Sequence, residues 1–407
     1  MIVAESFLNI TVYQGLDLQK GKKYVMSPAV LRQLLKIYPG GLAQTDEFDH
    51  LYNKLDLSRF KFGERVFLFR SGGIGDVMFM LPLARYLKEE YGAYIKVATS
   101  PMYCDVLGNN PYLNKIIRMP FESIEFENTD WSLMFEGLIE DVGKKSQILN
   151  SVDLFMEEAG VNFREVSSDK KIPYLFLTSK EKIKAENEVV RLSKKKPSLC
   201  VGVQIEASSP IRTFPVEKMI AVIKKLIDEN FVVFVFGGKR QEYIGNYLND
   251  LFFSEPNLVN LIPRGYSLRD SIAIASCMDL FIAPDSAFIH IAGGLGVPVI
   301  GLYGCFPSKL RMKYYHNAIG IDCDVACAPS FVHGHSPCPK GFPSPCFSVI
   351  AVDNVMDAVF HLLGKKKVSL IYPTFNEYAS GEAVVSSFSH ERIIGRGEVN
   401  SETESSS

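Results

Sequence analysis

The chain has no surplus of either charge. Lys and Arg number 44 and Asp and Glu 46 in 407 residues, a net charge of −2. That balance argues against a protein whose main task is to grip nucleic acid through a basic face, although it leaves room for a local basic cleft. An apolar run long enough to cross a bilayer is also missing. The longest candidate, Leu280 to Phe306, is interrupted by Gly and Pro and contains Asp285 and His290. A spanning helix needs about 20 predominantly apolar residues and rarely carries an acid at its centre. The N-terminus, MIVAESFLNI, has no basic stretch ahead of its apolar residues and includes Glu5, so no secretory signal is read there. The expectation is a cytoplasmic protein with reduced thiols, attachment at the inner membrane surface being the one peripheral option. Eight cysteines are too few for a disulfide scaffold at this length.

What is present is an ordinary globular composition, 47% hydrophobic and 22% charged. At about 150 residues per domain the length suggests two or three domains. Residues 1–60 form an extension: ITVYQGLDLQKGKKYVMS predicts two short strands around a turn, and PAVLRQLLKIY a short helix with Pro28 in its first turn. From Arg65 the pattern becomes α/β. RVFLFRS is a buried strand, SGGIGD a glycine turn, VMFMLPLARYLKEEYG a helix and YIKVATS the next strand. Continuous apolar strands alternating with helices point to a parallel sheet covered on both faces. A charged helix between Thr178 and Pro197 bridges to a second series, whose strands are LCVGVQI, FVVFVFGG, LVNLI, LFIAPD and VPVIGLYG. The expected division is 1–60, 61–180, 181–367 and a partly disordered tail, 368–407, ending in RGEVNSETESSS.

In open parallel sheets ligands sit beyond the carboxyl ends of the strands. Four motifs lie there. In Ser71-Gly72-Gly73-Ile74-Gly75-Asp76, Gly73 and Gly75 let backbone approach a ligand, and Asp76 stands where the helix starts. The plain alternative is that Asp76 only caps that helix. In Pro284-Asp285-Ser286-Ala287-Phe288-Ile289-His290, the amides of Ser286 and Ala287, the Ser286 hydroxyl and His290 suit a diphosphate, and Asp285 suits sugar hydroxyls. The alternative is a capped helix with a buried, satisfied histidine. The loop Ala207 to Pro215 offers Ser208, Ser209 and the planar fork of Arg212 for phosphate, or is merely a solvated loop. The turn Gly237-Gly238-Lys239-Arg240-Gln241-Glu242 offers contacts to a ribose or base, or is a common strand-to-helix turn.

Taken in order, SGGIGDVMFMLPLARYLKEEYG, SSPIRTFPVEKM and SIAIASCMDLFIAPDSAFIHIAGGLGVPVIGLYG resemble glycosyltransferase family 9, the ADP-heptose:lipopolysaccharide heptosyltransferases, over residues 65 to 365. The resemblance implies a GT-B fold, two Rossmann-like parallel-sheet domains facing across a cleft, here with a small N-terminal α+β extension. It implies transfer of a heptose or hexose-like sugar from a nucleoside diphosphate donor, ADP-heptose in the family, to a glycan or glycolipid hydroxyl, with inversion and without a metal ion. By position, Asp76 matches the family's general base, Arg212 the basic residue on the donor phosphates, and Asp285, Ser286, Ala287 and His290 the donor-binding turn. Ala287 departs from the family's usual Gly, and residues 1–60 have no counterpart. A nucleotide-sugar epimerase or hydrolase of the same fold, and a non-catalytic binding protein, remain the alternatives; the first would consume donor without acceptor. Nucleic acid is not the expected acceptor. Cys323, Cys327, His333, His335, Cys338 and Cys346 contain enough ligands for a structural zinc, at loose spacing, with reduced thiols as the alternative.

Overall fold

The computed structural model describes residues 1–12, 16–45, 52–140, 145–193, 199–323, 325, 345–364 and 383–387. Two compact units emerge, Met1–Ile183 with Ser267–Ala273, and Lys184–Tyr266 with Ile274–Ser407. The short return of chain to the first unit is tied there by Arg269. Its Nε donates to Glu181 Oε1 at 2.6 Å, its Nη2 to the Phe176 carbonyl at 2.6 Å and its Nη1 to the Asp105 carbonyl at 3.0 Å.

The first unit begins with an antiparallel sheet in the order Leu42–Thr45, Ile2–Ser6, Lys23–Met26, Phe121–Glu122. Ile2–Ser6 and Leu42–Thr45 are strands that the sequence reading leaves unassigned. Alternation sorts their side chains: Ile2, Ala4, Tyr24 and Met26 pack under the helix Pro28–Ile37, while Val3 and Val25 turn to Phe67, Phe69 and Phe121. The helix forms as its sequence dictates, with Pro28 in the first turn and the Ser27 side chain accepting from the Val30 amide at 3.2 Å.

Next to it lies a parallel sheet in the order Trp131–Met134, Arg65–Phe69, Tyr94–Thr99, Lys115–Arg118. Val66 to Phe69 are fully buried, as a central strand covered on both faces must be. The helix Ile74–Tyr91 follows the central strand and closes on Gly92 in the left-handed conformation. It starts three residues before the predicted VMFM, because Gly73, at φ +72°, makes the turn and leaves Ile74 free to be helical. Asp76 therefore lies inside the first turn. Behind it, Phe155 of the helix Ser151–Glu158 stacks on Phe135 with ring centroids 4.5 Å apart and meets Phe79 edge-on.

The second unit is a seven-stranded sheet in the order Leu258–Asn260, Val232–Phe236, Cys200–Gln204, Leu280–Pro284, Val299–Tyr303, Ala318–Cys323, Ala383–Ser387. All neighbours are parallel except the last pair. That edge strand, AVVSS, falls where disorder is expected; its β-branched residues favour extended backbone. The amphipathic helix Val216–Asp228 buries Met219, Val222, Ile223 and Leu226 on the sheet. Order reverses between Cys200–Gln204 and Leu280–Pro284, so the strand ends there open a crevice for ligand. Cys327, His333, His335 and Cys338 lie outside the described residues. Among the described residues Cys323 and Cys346 are buried free thiols, and no cluster of three metal-ligating side chains occurs. Also among the described residues, no helix is long and apolar enough to cross a membrane.

Candidate active site

In the first unit the candidate base stands at the carboxyl end of the central strand. The next residue after that strand, Arg70, is almost wholly buried, and no motif in the sequence singles it out. Its Nη2 donates to Asp76 Oδ2 at 2.6 Å and to Glu140; its Nη1 donates to Glu140 Oε2 at 3.1 Å and to the Phe135 carbonyl at 2.9 Å. Its Nε reaches the Gly72 carbonyl at 3.2 Å, and Glu136 Oε2 lies 4.0 Å from Nη1. One guanidinium thus faces three carboxylates. Burial alone would lower its pKa, but the charges of Asp76, Glu140 and Glu136 and the Glu140 hydrogen bond outweigh it and raise the group above its ordinary range. Gly73 is required here: a Cβ would come within 2.7 Å of Asp76 Oδ2, at a φ that side-chain-bearing residues avoid. Gly75 lies within the helix, one residue before Asp76. Asp76 itself is partly open, its side chain 15% exposed.

In the second unit, donors gather where two neighbouring strands end. Ser286 precedes the helix Ala287–Gly294 but does not cap it with its side chain. Its hydroxyl donates instead to Gln204 Oε1 at 2.5 Å, across to the adjacent strand. The first-turn amides are thereby left without a side-chain acceptor, the arrangement that receives anions at helix N-termini. Arg212 stands nearby, on the loop after Cys200–Gln204. Its Nη2 donates to Ser208 Oγ at 2.6 Å and its Nη1 lies 3.5 Å from Asp285 Oδ2, while Nε is buried without an acceptor among the described residues. The loop is held by Thr213, whose Oγ1 donates to the Ser209 carbonyl at 3.0 Å and accepts from the Ala207 amide at 3.2 Å. Ala287 is only half-buried.

His290 lies below this turn. It is buried, and its Nδ1 is 2.9 Å from the Tyr315 hydroxyl, a partner not evident from the sequence. Burial pushes its pKa down to about 4; Asp285 opposes the shift, and Arg311 and Arg212 add to it. A histidine depressed in the folded state takes up its proton more readily when unfolded. Its contribution is therefore fully present above the ordinary value near 6.5 and is lost as pH falls from there to about 4. The expected result is a falling urea midpoint over that window, with up to about 3 kcal/mol at stake. His290→Gln should flatten this pH dependence, and an unchanged profile in that variant would remove His290 as its cause. Arg311, also missed by the sequence reading, is buried with its guanidinium 4.4 Å from the Phe306 ring centroid.

The fourth motif borders a cavity of about 390 Å³ lined by Glu206, Ser208, Thr213, Phe214, Arg240 and Phe347, among others. Gly237 packs so closely on Ile262 that a Cβ would lie 2.9 Å from its Cγ1. The Gly238 amide donates to Gln241 Oε1 at 2.9 Å. Glu242 is exposed at the start of the helix Glu242–Leu251. Beside it the Tyr243 hydroxyl donates to Glu206, and that bond pushes its pKa up to about 12. Gly237, Gly238 and Glu242 thus stand at this turn, whereas Ser208, Arg212, Asp285, Ser286 and Ala287 gather where the two central strands end and His290 is buried with Tyr315 as its partner.

Comparison with known proteins adds to this geometry. The model of glycosyltransferase family 9 (heptosyltransferase) matches residues 138–338. Lipopolysaccharide heptosyltransferase 2 of Escherichia coli K12 is 24% identical over 283 residues, covering 57% of this chain and 80% of the relative. The solved ADP-heptose LPS heptosyltransferase II of E. coli, 18% identical, superposes with a TM-score of 0.58 over 74% of this chain and 99% of its own. A family 9 glycosyltransferase from Veillonella parvula, 16% identical, also gives 0.58, over 78% of this chain and all of that one. The fold is GT-B.

Proposed function

Taking this chain as a heptosyltransferase-like glycosyltransferase of family 9, we propose that it moves a heptose-type sugar from a nucleoside diphosphate, ADP-heptose by kinship, to a hydroxyl of a glycan or glycolipid acceptor, with inversion. The observation that carries this reading is the set of donors in the second unit that have no side-chain acceptor among the described residues. The uncapped amides at Ser286–Ala287 and the unpartnered Nε of Arg212 stand at adjacent strand ends, joined through Asp285. An anionic diphosphate supplies what they lack.

The chemistry assigns one task to each unit. In the first, Asp76 accepts the proton of the acceptor hydroxyl as its oxygen attacks the anomeric carbon. Arg70 is a positioning residue, holding the Asp76 carboxylate through Oδ2. Glu140 and Glu136 keep the cluster negative overall, so that gaining a proton at Asp76 relieves repulsion. In the second unit, as the bond from the anomeric carbon to the diphosphate oxygen breaks, negative charge grows on the leaving group. Arg212, Ser208 and the helix amides are already oriented to take it up. Attack from the face opposite the leaving group gives inversion.

The test is acceptor dependence. With ADP-heptose and a lipid-linked glycan core, release of ADP is expected to rise at least about tenfold over donor alone, since an aligned acceptor competes well with water. Equal release without acceptor would replace transfer by hydrolysis as the activity of this site.

A further inference from the structure

We infer that one end of the N-terminal module is a docking surface for an anionic lipid bilayer. Three segments meet there. The Phe7 amide donates to the Gly41 carbonyl at 2.9 Å, the Gly21 amide to the Ser6 carbonyl at 2.7 Å, and the Lys20 amide to Asn9 Oδ1 at 2.9 Å. Residues 6–9, 19–22 and 37–41 are thereby fastened into one end. From it protrude Phe7, Leu8 and Ile37, which are 44%, 47% and 60% exposed. Around them stand the exposed Lys20 and Lys36; Lys22 is paired with Glu122 at 2.8 Å and does not count.

Two features favour a bilayer over a protein partner. The first is charge. With Lys22 and Glu122 set aside as a pair, residues 1–45 hold four basic and two acidic residues, +2, against −4 for the rest of the chain. Attraction to anionic headgroups adds for each lysine near the surface. The second is how the apolar side chains are presented. The Ser6 hydroxyl donates to the Leu8 carbonyl at 2.7 Å, and the Phe7 amide is already taken by Gly41. With the Leu8 carbonyl and the Phe7 amide satisfied internally, the turn enters the headgroup region with fewer polar atoms to desolvate. Apolar insertion and basic charge together give reversible attachment, where either alone is marginal. The conclusion does not depend on glycosyl transfer.

The molecule holds its own control. Leu251 and Phe253, 48% and 84% exposed, form a second apolar site in the other unit, but their sequence neighbours are the acids Asp250 and Glu255. Co-sedimentation of the full chain with vesicles of phosphatidylcholine containing 30% phosphatidylglycerol, against phosphatidylcholine alone, is the experiment. Binding is expected only to the anionic vesicles, weakened at high salt by screening. F7S/L8S should lower the partition coefficient on the order of tenfold, and K20Q/K36Q about twenty-five-fold, near fivefold per lysine. L251S/F253S should change nothing. Circular dichroism confirms that each variant is folded. Equal binding to both vesicle types, an equal loss in the control variant, or self-association that F7S/L8S abolishes in place of vesicle binding would each overturn the proposal.

Discussion

Asp76→Asn is expected to lower turnover by about three orders of magnitude, in the middle of the range for losing a positioned general base. The amide keeps the shape of the carboxylate and still accepts from Arg70, so the fold and donor affinity should be retained. Arg70→Ala should do more harm to the protein. It leaves Asp76, Glu136 and Glu140 without the buried cation that they share; because Glu136 and Glu140 are largely open to water, the loss should be about 1.5–3 kcal/mol, that of a hydrogen bond to a charged group. The two variants separate chemistry from architecture: the first loses kcat with an unchanged melting curve, the second loses both. Wild-type turnover in Asp76→Asn would take Asp76 out of the base role.

Arg212→Ala should weaken donor binding about a hundredfold, since a charge-assisted hydrogen bond contributes about 1.5–3 kcal/mol and the fork makes more than one. Titration calorimetry with ADP reads this directly. Arg212→Lys should recover only part of the affinity, because an ammonium cannot span Ser208 and a phosphate oxygen as the planar fork does. Removing the guanidinium also takes away a cation 3.5 Å from the buried Asp285, so some loss of stability should accompany the loss of affinity. Unchanged ADP affinity in Arg212→Ala would place the donor elsewhere.

The sheets could be read from the sequence because their central strands are covered on both faces: RVFLF, VVFVF and LFIAP are apolar without interruption, and a parallel arrangement is the usual consequence. The glycine turns were equally plain. What the sequence hides are partnerships over distance. Arg70 reads as the polar end of a strand, and its carboxylates at 136 and 140 arrive some seventy residues later. Ser286 finds Gln204 82 positions away. His290 finds Tyr315, which lies in a stretch with no motif. The start of the helix at Ile74 was masked for another reason. Gly73 and Gly75 are poor helix formers, so local propensity places the boundary later than the tertiary structure does. Ile2–Ser6 and Leu42–Thr45 are strands of only five and four residues, and their pairing in one sheet supplies what local pattern does not.

The strand Lys23–Met26 is hydrogen-bonded to Phe121–Glu122, and Val3 and Val25 share a core with Phe67 and Phe69. The leading segment is therefore a wall of the first unit and not a detachable ornament. Deleting residues 1–45 would strip that wall, bare the aromatic rings beneath and leave an unpaired edge open to neighbouring molecules. A product shortened in this way should collect in inclusion bodies.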